Sequence, residues 1–332
     1  MSLPKINIGI IYRKANTWWD MNYLSSVLRT YHKCNYQLID VTKFEKDKIP
    51  RNFEVITLLP FEADVIEDVL DQNKNCKWVH CMWSGVDKLL SKPKIMDHNI
   101  MLTNGRGAFS KSLAEFSIFS MLYFSYNMPT YHKVFQEKGW VKPLNKMINQ
   151  KTLTIVGYGW NGVEIALKAK LAFNMKVIAI KKNINNVDGK LYIDELATLD
   201  KLKDILPRSD FVLSILPGTK ETEDLWNEEL FNLMKPSSVF INLGRGSSVK
   251  EEDLIKVLRE KRISGASLDV YKQEPLPSNS EFYDLQNVLL SFHSCDNTDE
   301  YFKQGLEVFT NNLDIYEQSG RLLTVVDKLK GY

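Results

Sequence analysis

Three ionisable side chains, Arg245, Glu274 and His293, each lie at or just past the end of an apolar segment typical of a β-strand. A histidine can transfer a proton near neutral pH, because its pKa lies there. A neighbouring carboxylate favours the imidazolium and fixes its tautomer, and an arginine can bind a carboxylate through two parallel hydrogen bonds. The three residue types therefore suit proton transfer to a carbonyl oxygen beside a carboxylate. Each could instead have only a structural role in a turn, and spacing alone leaves both interpretations open.

The segment 152–182 contains a glycine-rich turn between a β-rich run and a helical pattern, and a second β-rich run follows. Together these predict a complete βαβ unit. Gly157 permits a sharp turn, Gly159 lets the backbone approach a pyrophosphate, and Gly162 lets the helix pack close to the strand. The free N–H groups at the helix start then face the phosphate charge. The turn, which predicts a dinucleotide site, comprises Gly157, Tyr158, Gly159, Trp160, Asn161 and Gly162.

Two lysines, Lys181 and Lys182, stand where NAD-preferring sites usually carry an acid that binds the ribose. No acidic residue occurs from Lys176 to Val187. A lysine attracts a 2′-phosphate, and a hydrogen bond to a charged group contributes about 1.5–3 kcal/mol. The two lysines therefore predict a preference for NADP(H), with NAD(H) still usable. The alternative interpretation is that both are solvated surface residues.

The composition excludes several classes of function. The net charge of +2, from 43 basic and 41 acidic residues, gives no electrostatic reason to expect binding to nucleic acid or to an anionic membrane. The four cysteines form no C-x-x-C pair and no zinc-binding pattern with histidine, so we expect reduced thiols in a cytoplasmic protein without a bound metal. No run reaches the roughly eighteen apolar residues that a membrane helix needs.

The elements that must position these residues follow from the apolar pattern. A length of 332 residues, 44% of them apolar, allows two domains. Because β-rich runs alternate with helical ones, we predict an α/β fold of two doubly wound parallel sheets. The ligand crevice of such a sheet lies outside the carboxyl ends of its strands. Strands are predicted at 5–12, 36–41, 55–59, 78–82, 100–103, 152–156, 176–182, 211–216, 238–242, 265–271 and 288–292, and helices at 18–31, 64–70, 113–127, 163–173, 251–261 and 301–316.

Two further segments have possible roles in binding or assembly. Ser112, with Glu115 at the capping-box position, predicts the start of a helix that is apolar nearly all round. We expect that helix to be buried between domains or against a second subunit. Ser84, Gly85 and Val86 follow a predicted strand, and backbone N–H groups there can hold a carboxylate, although a structural turn is equally compatible.

The whole chain resembles the D-isomer-specific 2-hydroxyacid dehydrogenases, a family that includes glyoxylate/hydroxypyruvate reductases and phosphoglycerate dehydrogenases. The resemblance implies a Rossmann NAD(P)-binding domain at 104–296 and a smaller flavodoxin-like substrate-binding domain at 1–103, completed by 297–332. It also implies a homodimer formed through the cofactor domain. The matching motifs occur in the family's order and spacing, at 157–162, 216–225, 241–246, 268–277 and His293.

The resemblance also implies roles for individual residues. Arg245 would bind the 2-oxo acid, His293 would be the acid/base, and Glu274 would pair with His293. Asp269 would contact the nicotinamide amide, and the backbone of 84–86 would hold the substrate carboxylate. Further cofactor-binding positions implied by the motifs are Leu216, Pro217, Thr222 and Gly244.

The chain departs from the family pattern at three places. Phe292 replaces the usual proline before the histidine, Ser294-Cys295 replaces the small residues after it, and Lys88-Leu89-Leu90 replaces Asn-Ile-Asp. These changes weaken what the resemblance implies about the identity of the substrate more than what it implies about the class of reaction.

We therefore expect an NADPH-preferring reductase of a small 2-oxo acid, such as glyoxylate or hydroxypyruvate. The alternatives are a phosphoglycerate-type dehydrogenase and a dinucleotide-sensing, corepressor-like binding protein. A formate dehydrogenase is disfavoured, because the formate enzymes that resemble this family carry Gln in place of Glu274.

Overall fold

The computed structural model describes residues 5–14, 19–31, 33–60, 62–97, 99–185 and 187–332. The chain divides into two compact units. The first consists of Met1–Phe109 with Asp299–Tyr332, and the second of Ser110–Thr298. The boundaries expected from the sequence, after residues 103 and 296, fall a few positions before these points of division.

The first unit is built on a parallel sheet whose strands are apolar enough to be buried on both faces. The described strands lie within two residues of their predicted bounds. Trp18, the predicted start of the first helix, lies outside the described residues. The strands are β1 (Ile6–Tyr12), β2 (Cys34–Asp40), β3 (Val55–Leu58), β4 (Trp78–Cys81) and β5 (Met101–Asn104), in the order β2-β1-β3-β4-β5, with helices α1 (Met21–Leu28), α2 (Ile66–Gln72) and α3 (Asp87–Leu90).

The C-terminal helix, Tyr301–Ser319, completes the core of this first unit. Ile10 and Ile11 point to opposite faces of the sheet, because side chains alternate along a strand, and they belong to two separate apolar cores. The core around Ile10 includes Phe309 of the C-terminal helix. Gly305 permits the close approach of that helix, since a Cβ there would lie 2.8 Å from the carbonyl oxygen of Met82.

The second unit contains a larger parallel sheet whose strand order reverses at the first βα connection. From β6 the chain moves outward to β7 and β8, and then returns to β9 on the other side of β6. Such a reversal marks the crevice where open α/β sheets bind ligands. The strands are β6 (Thr152–Val156), β7 (Lys176–Ile180), β8 (Glu195–Ala197), β9 (Phe211–Ser214), β10 (Val239–Asn242), β11 (Gly265–Leu268) and β12 (Val288–Leu290), in the order β12-β11-β10-β9-β6-β7-β8.

The helices of this unit are consistent with the predicted alternation of strands and helices. The predicted βαβ unit is present, as β6, the glycine turn, a helix and β7. No helix in the described part of the chain is both long and apolar enough to cross a membrane. The helices are α4 (Ser110–Ser125), α5 (Met128–Gln136), α6 (Trp160–Phe173), α7 (Leu202–Ile205), α8 (Glu228–Asn232) and α9 (Glu251–Arg259).

The predicted start of α4, with Ser112 as its N-cap, was wrong. The helix begins at Ser110, whose hydroxyl donates to Asn161 Oδ1 (2.7 Å), so the buried Ser112 is its third residue and not its N-cap. Its expected burial between domains or against a second subunit stays a prediction. Its buried positions are mostly serines, which allow close packing, whereas Phe119 and Tyr126 are about half exposed, at 49% and 47%.

Several strands of the second unit end earlier than predicted. β11 ends at Leu268 and not at residue 271, and β12 ends at Leu290 and not at residue 292. Beyond these ends, the two segments remain joined by hydrogen bonds. The N–H of His293, for example, donates to the carbonyl oxygen of Asp269 (2.7 Å).

Candidate active site

The glycine turn between β6 and α6 combines two tightly packed glycines with one that faces open space. Gly157 has a φ of +104°, and a Cβ there would lie 2.6 Å from the carbonyl oxygen of Ile215. At Gly162 a Cβ would lie 3.1 Å from the Tyr158 ring. At Gly159, the N-cap of α6, a Cβ would meet nothing within 4 Å. Open space beside the first N–H groups of a fourteen-residue helix fits a phosphate group.

The side chains of this turn fix it to neighbouring segments. The buried hydroxyl of Tyr158 donates to the carbonyl oxygen of Gly189 (3.2 Å), so it holds the loop that follows β7. Burial raises the pKa of Tyr158 to about 12. Asn161 accepts from the hydroxyl of Ser110 at the start of α4, while the side chain of Trp160 is exposed.

The two lysines expected to bind a phosphate lie just beyond β7. The N–H of Lys181 donates to the carbonyl oxygen of Ala197 (3.0 Å), which continues the pairing of β7 with β8. Lys182 Nζ lies 2.5 Å from Glu221 Oε2, and both side chains are about two-thirds exposed. Glu221 comes from the loop after β9. Because Glu221 is 39 positions from Lys182, the sequence near the lysines does not reveal this acidic partner.

The loop after β9 is closed by hydrogen bonds of Thr222. The Thr222 hydroxyl donates to the carbonyl oxygen of Pro217 (2.7 Å) and accepts from the N–H of Thr219 (3.0 Å). Leu216, at the start of this loop, packs against the end of β10, because a Cβ at Gly244 would lie 2.5 Å from the Leu216 carbonyl oxygen. The structure therefore brings these predicted cofactor-binding positions to the carboxyl ends of adjacent strands.

The predicted histidine–carboxylate pair is present. His293 Nδ1 lies 2.8 Å from Glu274 Oε2, and Glu274 Oε1 accepts from the N–H of Tyr271 (3.0 Å). The hydrogen bond to Glu274 raises the pKa of His293, although burial and Arg245 oppose that shift. Burial pulls the pKa of Glu274 upward, but the hydrogen bonds from His293 and Tyr271 outweigh it and leave that pKa below its usual value. The arrangement therefore favours an imidazolium paired with a carboxylate.

Arg245 lies in a tight turn after β10 that brings it towards this pair. Its Nη1 donates to the carbonyl oxygen of Gly244 (2.8 Å), and its own carbonyl oxygen accepts from Asn242 and Ser248. A Cβ at Gly246 would lie 1.9 Å from the carbonyl carbon of Tyr271, so this contact between the two loops requires glycine. The positive charge of Arg245 lowers the pKa of both His293 and Glu274, as expected for a nearby guanidinium.

The turn that carries His293 is anchored by the buried carboxylate of Asp269. Asp269 Oδ1 accepts from the Ser291 hydroxyl (2.7 Å) and from the N–H groups of Ser294 (2.9 Å) and Cys295 (3.2 Å). These contacts hold His293 at a φ of +51°, a value that residues other than glycine rarely adopt. This anchoring role of Asp269 was not predicted from the sequence. The available sequence signal for this role was an acidic residue directly after one strand, with serines directly after the next strand.

The segment expected to hold the substrate carboxylate belongs to the first unit. The Ser84 hydroxyl donates to the carbonyl oxygen of Gly105 (3.3 Å), and Asn104 Nδ2 donates to the Ser84 carbonyl oxygen (2.6 Å). Val86 is buried and directly precedes α3. The turn 84–86 is thus held by residues at the end of β5. Among the described residues, no group of three or more His, Cys, Asp or Glu side chains could hold a metal ion.

A parallel α/β unit with this glycine turn, together with a histidine–carboxylate pair and an arginine, defines the class of NAD(P)-dependent dehydrogenases. Within that class, the profile described as "D-isomer specific 2-hydroxyacid dehydrogenase, NAD binding domain" matches residues 118–295, more than half of the chain. The chain belongs to the family of D-isomer-specific 2-hydroxyacid dehydrogenases. The resemblance found in the sequence is thereby confirmed.

Individual relatives support this assignment. A glyoxylate reductase from Thermofilum pendens is 32% identical over 267 residues, which cover 77% of this chain and 76% of that relative. A glyoxylate/hydroxypyruvate reductase B from Shigella boydii is 40% identical over 146 residues, which cover 44% of each chain. The crystal structure of an NADPH-dependent glyoxylate/hydroxypyruvate reductase from Sinorhizobium meliloti, in complex with NADP and sulfate, has the same fold. Its TM-score is 0.81 at 22% identity, with 99% of this chain and 100% of that chain covered.

Proposed function

We propose that the protein reduces a small 2-oxo acid, of the glyoxylate or hydroxypyruvate type, to the D-2-hydroxy acid with NADPH. The observation that carries this proposal is the His293–Glu274 pair, 2.8 Å apart, with Arg245 close enough to influence the pKa of both. The names of the relatives from Thermofilum pendens and Shigella boydii support the choice of substrate class.

In this reaction the bound cofactor supplies the hydride that adds to C2 of the acid. His293 donates a proton to the carbonyl oxygen as that oxygen becomes a hydroxyl. Because Nδ1 contacts Glu274, the proton leaves from Nε2. Glu274 keeps the imidazole protonated before this transfer. Arg245 binds the substrate carboxylate and polarises the adjacent carbonyl. In the first unit, the backbone N–H groups of 84–86 are the groups proposed to bind a carboxylate.

The second unit takes the role of the NAD(P)-binding domain and the first that of the substrate-binding domain. The pyrophosphate lies against Gly159 and the start of α6, and Lys181 and Lys182 favour the 2′-phosphate of NADP(H) over NAD(H), which remains usable. The remaining proposed cofactor contacts are Gly157, Tyr158, Trp160, Asn161, Gly162, Leu216, Pro217, Thr222, Gly244 and Asp269.

The protein forms a homodimer through this second unit. On α4 the rings of Phe116, Phe119 and Tyr123 follow one another at 5.8 and 6.0 Å, and Phe119 is half exposed. Trp140 and Leu144, in the segment after α5, are about nine-tenths exposed. Apolar surface of this extent is typical of a subunit interface. A cytoplasmic location agrees with the four cysteines, all of which are free thiols.

The decisive test is steady-state oxidation of NADPH and of NADH by the purified protein, with glyoxylate and with hydroxypyruvate. We expect turnover with both acids and a higher kcat/KM with NADPH. A higher kcat/KM with NADH would support the proposed reaction but would contradict the proposed role of Lys181 and Lys182. No oxidation of either cofactor with either acid would contradict the proposed function.

A further inference from the structure

We propose that Glu221 sets the balance between NADP(H) and NAD(H), because it competes with the 2′-phosphate for Lys182. This inference rests on the proposed binding of a dinucleotide to the second unit. It concerns which of the two dinucleotides binds more tightly, and it does not depend on the identity of the 2-oxo acid.

The ion pair between Lys182 and Glu221 spans the carboxyl edge of the sheet. Lys182 follows β7 and Glu221 lies in the loop after β9, while β6, which leads into the glycine turn, lies between these two strands. The 2.5 Å contact of Lys182 Nζ with Glu221 Oε2 therefore joins the loops on either side of the glycine turn. A dinucleotide on that turn extends its adenosine ribose towards the loop after β7.

Hydrogen bonds hold the loop that carries Glu221. Glu221 directly precedes Thr222, whose hydroxyl closes the loop onto Pro217. The carboxylate of Glu221 is therefore presented to Lys182 by an ordered loop.

An exposed ion pair of this kind contributes little to stability, because water and salt screen both charges. Lys182 can therefore exchange Glu221 for a stronger anion at low cost. A 2′-phosphate, with a charge of about −1.5 to −2, is such an anion. After the exchange, the carboxylate of Glu221 remains beside the phosphate and repels it. NAD(H) carries no charge at this position, so the ion pair stays intact when NAD(H) binds.

The test is the dissociation constant of NADPH and of NADH for Glu221→Gln, measured by isothermal titration calorimetry at low salt without substrate. We expect Glu221→Gln to bind NADPH about three- to fivefold more tightly than the wild type, and NADH with less than about twofold change. The gain should shrink at about 1 M salt, where charges on the surface are screened.

Glu223→Gln is the matched control, since it removes the same charge from the same loop, two positions beyond the carboxylate that pairs with Lys182. We expect it to change NADPH binding by less than about twofold. A double-mutant cycle with Lys182→Gln isolates the competition. In the Lys182→Gln background, Glu221→Gln should have little further effect on the affinity for NADPH.

Three results for the affinity for NADPH would overturn the inference. They are an unchanged affinity of Glu221→Gln for NADPH, an equal gain in Glu223→Gln, and a full effect of Glu221→Gln in the absence of Lys182. A loss of NADH affinity in Glu221→Gln would also overturn it, because the carboxylate would then bind the ribose hydroxyl. If the wild type binds neither dinucleotide, the proposed function itself fails. If the wild type binds both dinucleotides and Glu221→Gln leaves their affinities unchanged, only the proposed role of Glu221 is refuted.

Discussion

At the scale of single residues, the pairing of His293 with Glu274 determines how the reaction should depend on pH. The hydrogen bond to Glu274 raises the pKa of His293, and reduction requires the protonated ring. For the wild type we expect kcat/KM for glyoxylate reduction to be constant at low pH and to fall as pH rises through that pKa. Glu274→Gln removes the negative charge, so the fall should begin at lower pH.

The measurement is the pH profile of kcat/KM for both proteins, from about pH 5 to about pH 10. Glu251→Gln, which removes a carboxylate from the same unit, serves as the control and should leave the midpoint in place. A Glu274→Gln profile that coincides with the wild-type profile would show that Glu274 does not set the protonation of His293.

A second prediction at this scale concerns Glu62, whose side chain is fully buried in the first unit. Its Oε2 lies 3.1 Å from Nε of Arg13, yet burial raises the pKa of Glu62 to about 7. The folded protein therefore binds this proton more tightly than the unfolded chain does. The associated stability is present below about pH 4.5 and is lost as pH rises towards about 7.

Glu62→Gln removes this titration, because glutamine stays neutral and keeps nearly the same shape. We expect the denaturation midpoint of the wild type, measured in urea by tryptophan fluorescence, to fall relative to that of Glu62→Gln between about pH 5 and about pH 8. Glu45→Gln, an exposed carboxylate paired with Lys48, should follow the wild type. Parallel pH dependence in wild type and Glu62→Gln would refute the prediction.

Residues of the candidate site differ in how far their sequence positions predict their contacts. His293, Glu274 and Arg245 could be chosen because their types suit the chemistry and their motifs match a family. Glu221 could not, because its contact with Lys182 joins positions 39 apart through two loops. Pairing across strands depends on sheet order, and local spacing carries no information about it.

At the scale of elements, the glycine turn contains one glycine that is required for packing and another that leaves room for the proposed phosphate. Gly157 has a left-handed φ and would place a Cβ against backbone, whereas Gly159 would place one in open space. We expect Gly157→Ala to lower the free energy of unfolding by about 1–3 kcal/mol. Gly159→Ala should cost about 1 kcal/mol or less, as for other N-cap changes, but should weaken NADPH binding about tenfold or more, because its methyl group occupies the phosphate position.

Thermal unfolding and calorimetric titration with NADPH, applied to both variants, check this separation. Gly320→Ala, at a left-handed glycine after the C-terminal helix, reports on backbone strain alone and should leave NADPH binding unchanged. Unaltered NADPH affinity in Gly159→Ala would contradict the proposed position of the phosphate.

The elements themselves were largely predictable, and the exceptions have physical causes. Parallel strands such as β1 and β10 are continuous apolar runs, which identify them directly. The start of α4 was not predictable, because Ser110 and Ser112 are both suitable caps and only the bond from Ser110 to Asn161 distinguishes them. The early ends of β11 and β12 depend on Asp269, which binds a turn from the neighbouring strand.

At the scale of the whole molecule, the exposed ring of Phe119 on α4 leads to a prediction about the oligomeric state. Phe119→Glu places a charge in the middle of the proposed interface. We expect the wild type to sediment as a dimer and Phe119→Glu as a monomer or a weaker dimer, in analytical ultracentrifugation at micromolar concentration. Leu329→Glu, at an exposed leucine of the first unit, is the control and should remain a dimer. A monomeric wild type would contradict the proposal.

The division into two units was foreseeable only in part. The alternation of strands and helices predicts two sheets, but it does not assign the C-terminal helix to either. That assignment came from family resemblance, and the packing of Phe309 against Trp78 gives its physical basis. Gly305, opposite Met82, would have been the sequence signal, but a glycine within a helical pattern does not by itself identify the segment against which the helix packs.

The packing of the C-terminal helix into the first unit has a consequence for biosynthesis. The second unit is continuous, from Ser110 to Thr298, so all of its strands are synthesised before Phe309. The first unit, although its strands precede the second unit in the sequence, lacks Phe309 and its neighbours until the helix Tyr301–Ser319 has been synthesised. The N-terminal sheet must therefore persist with one face uncovered while the second unit folds, and this interval is when the nascent chain most needs protection by chaperones.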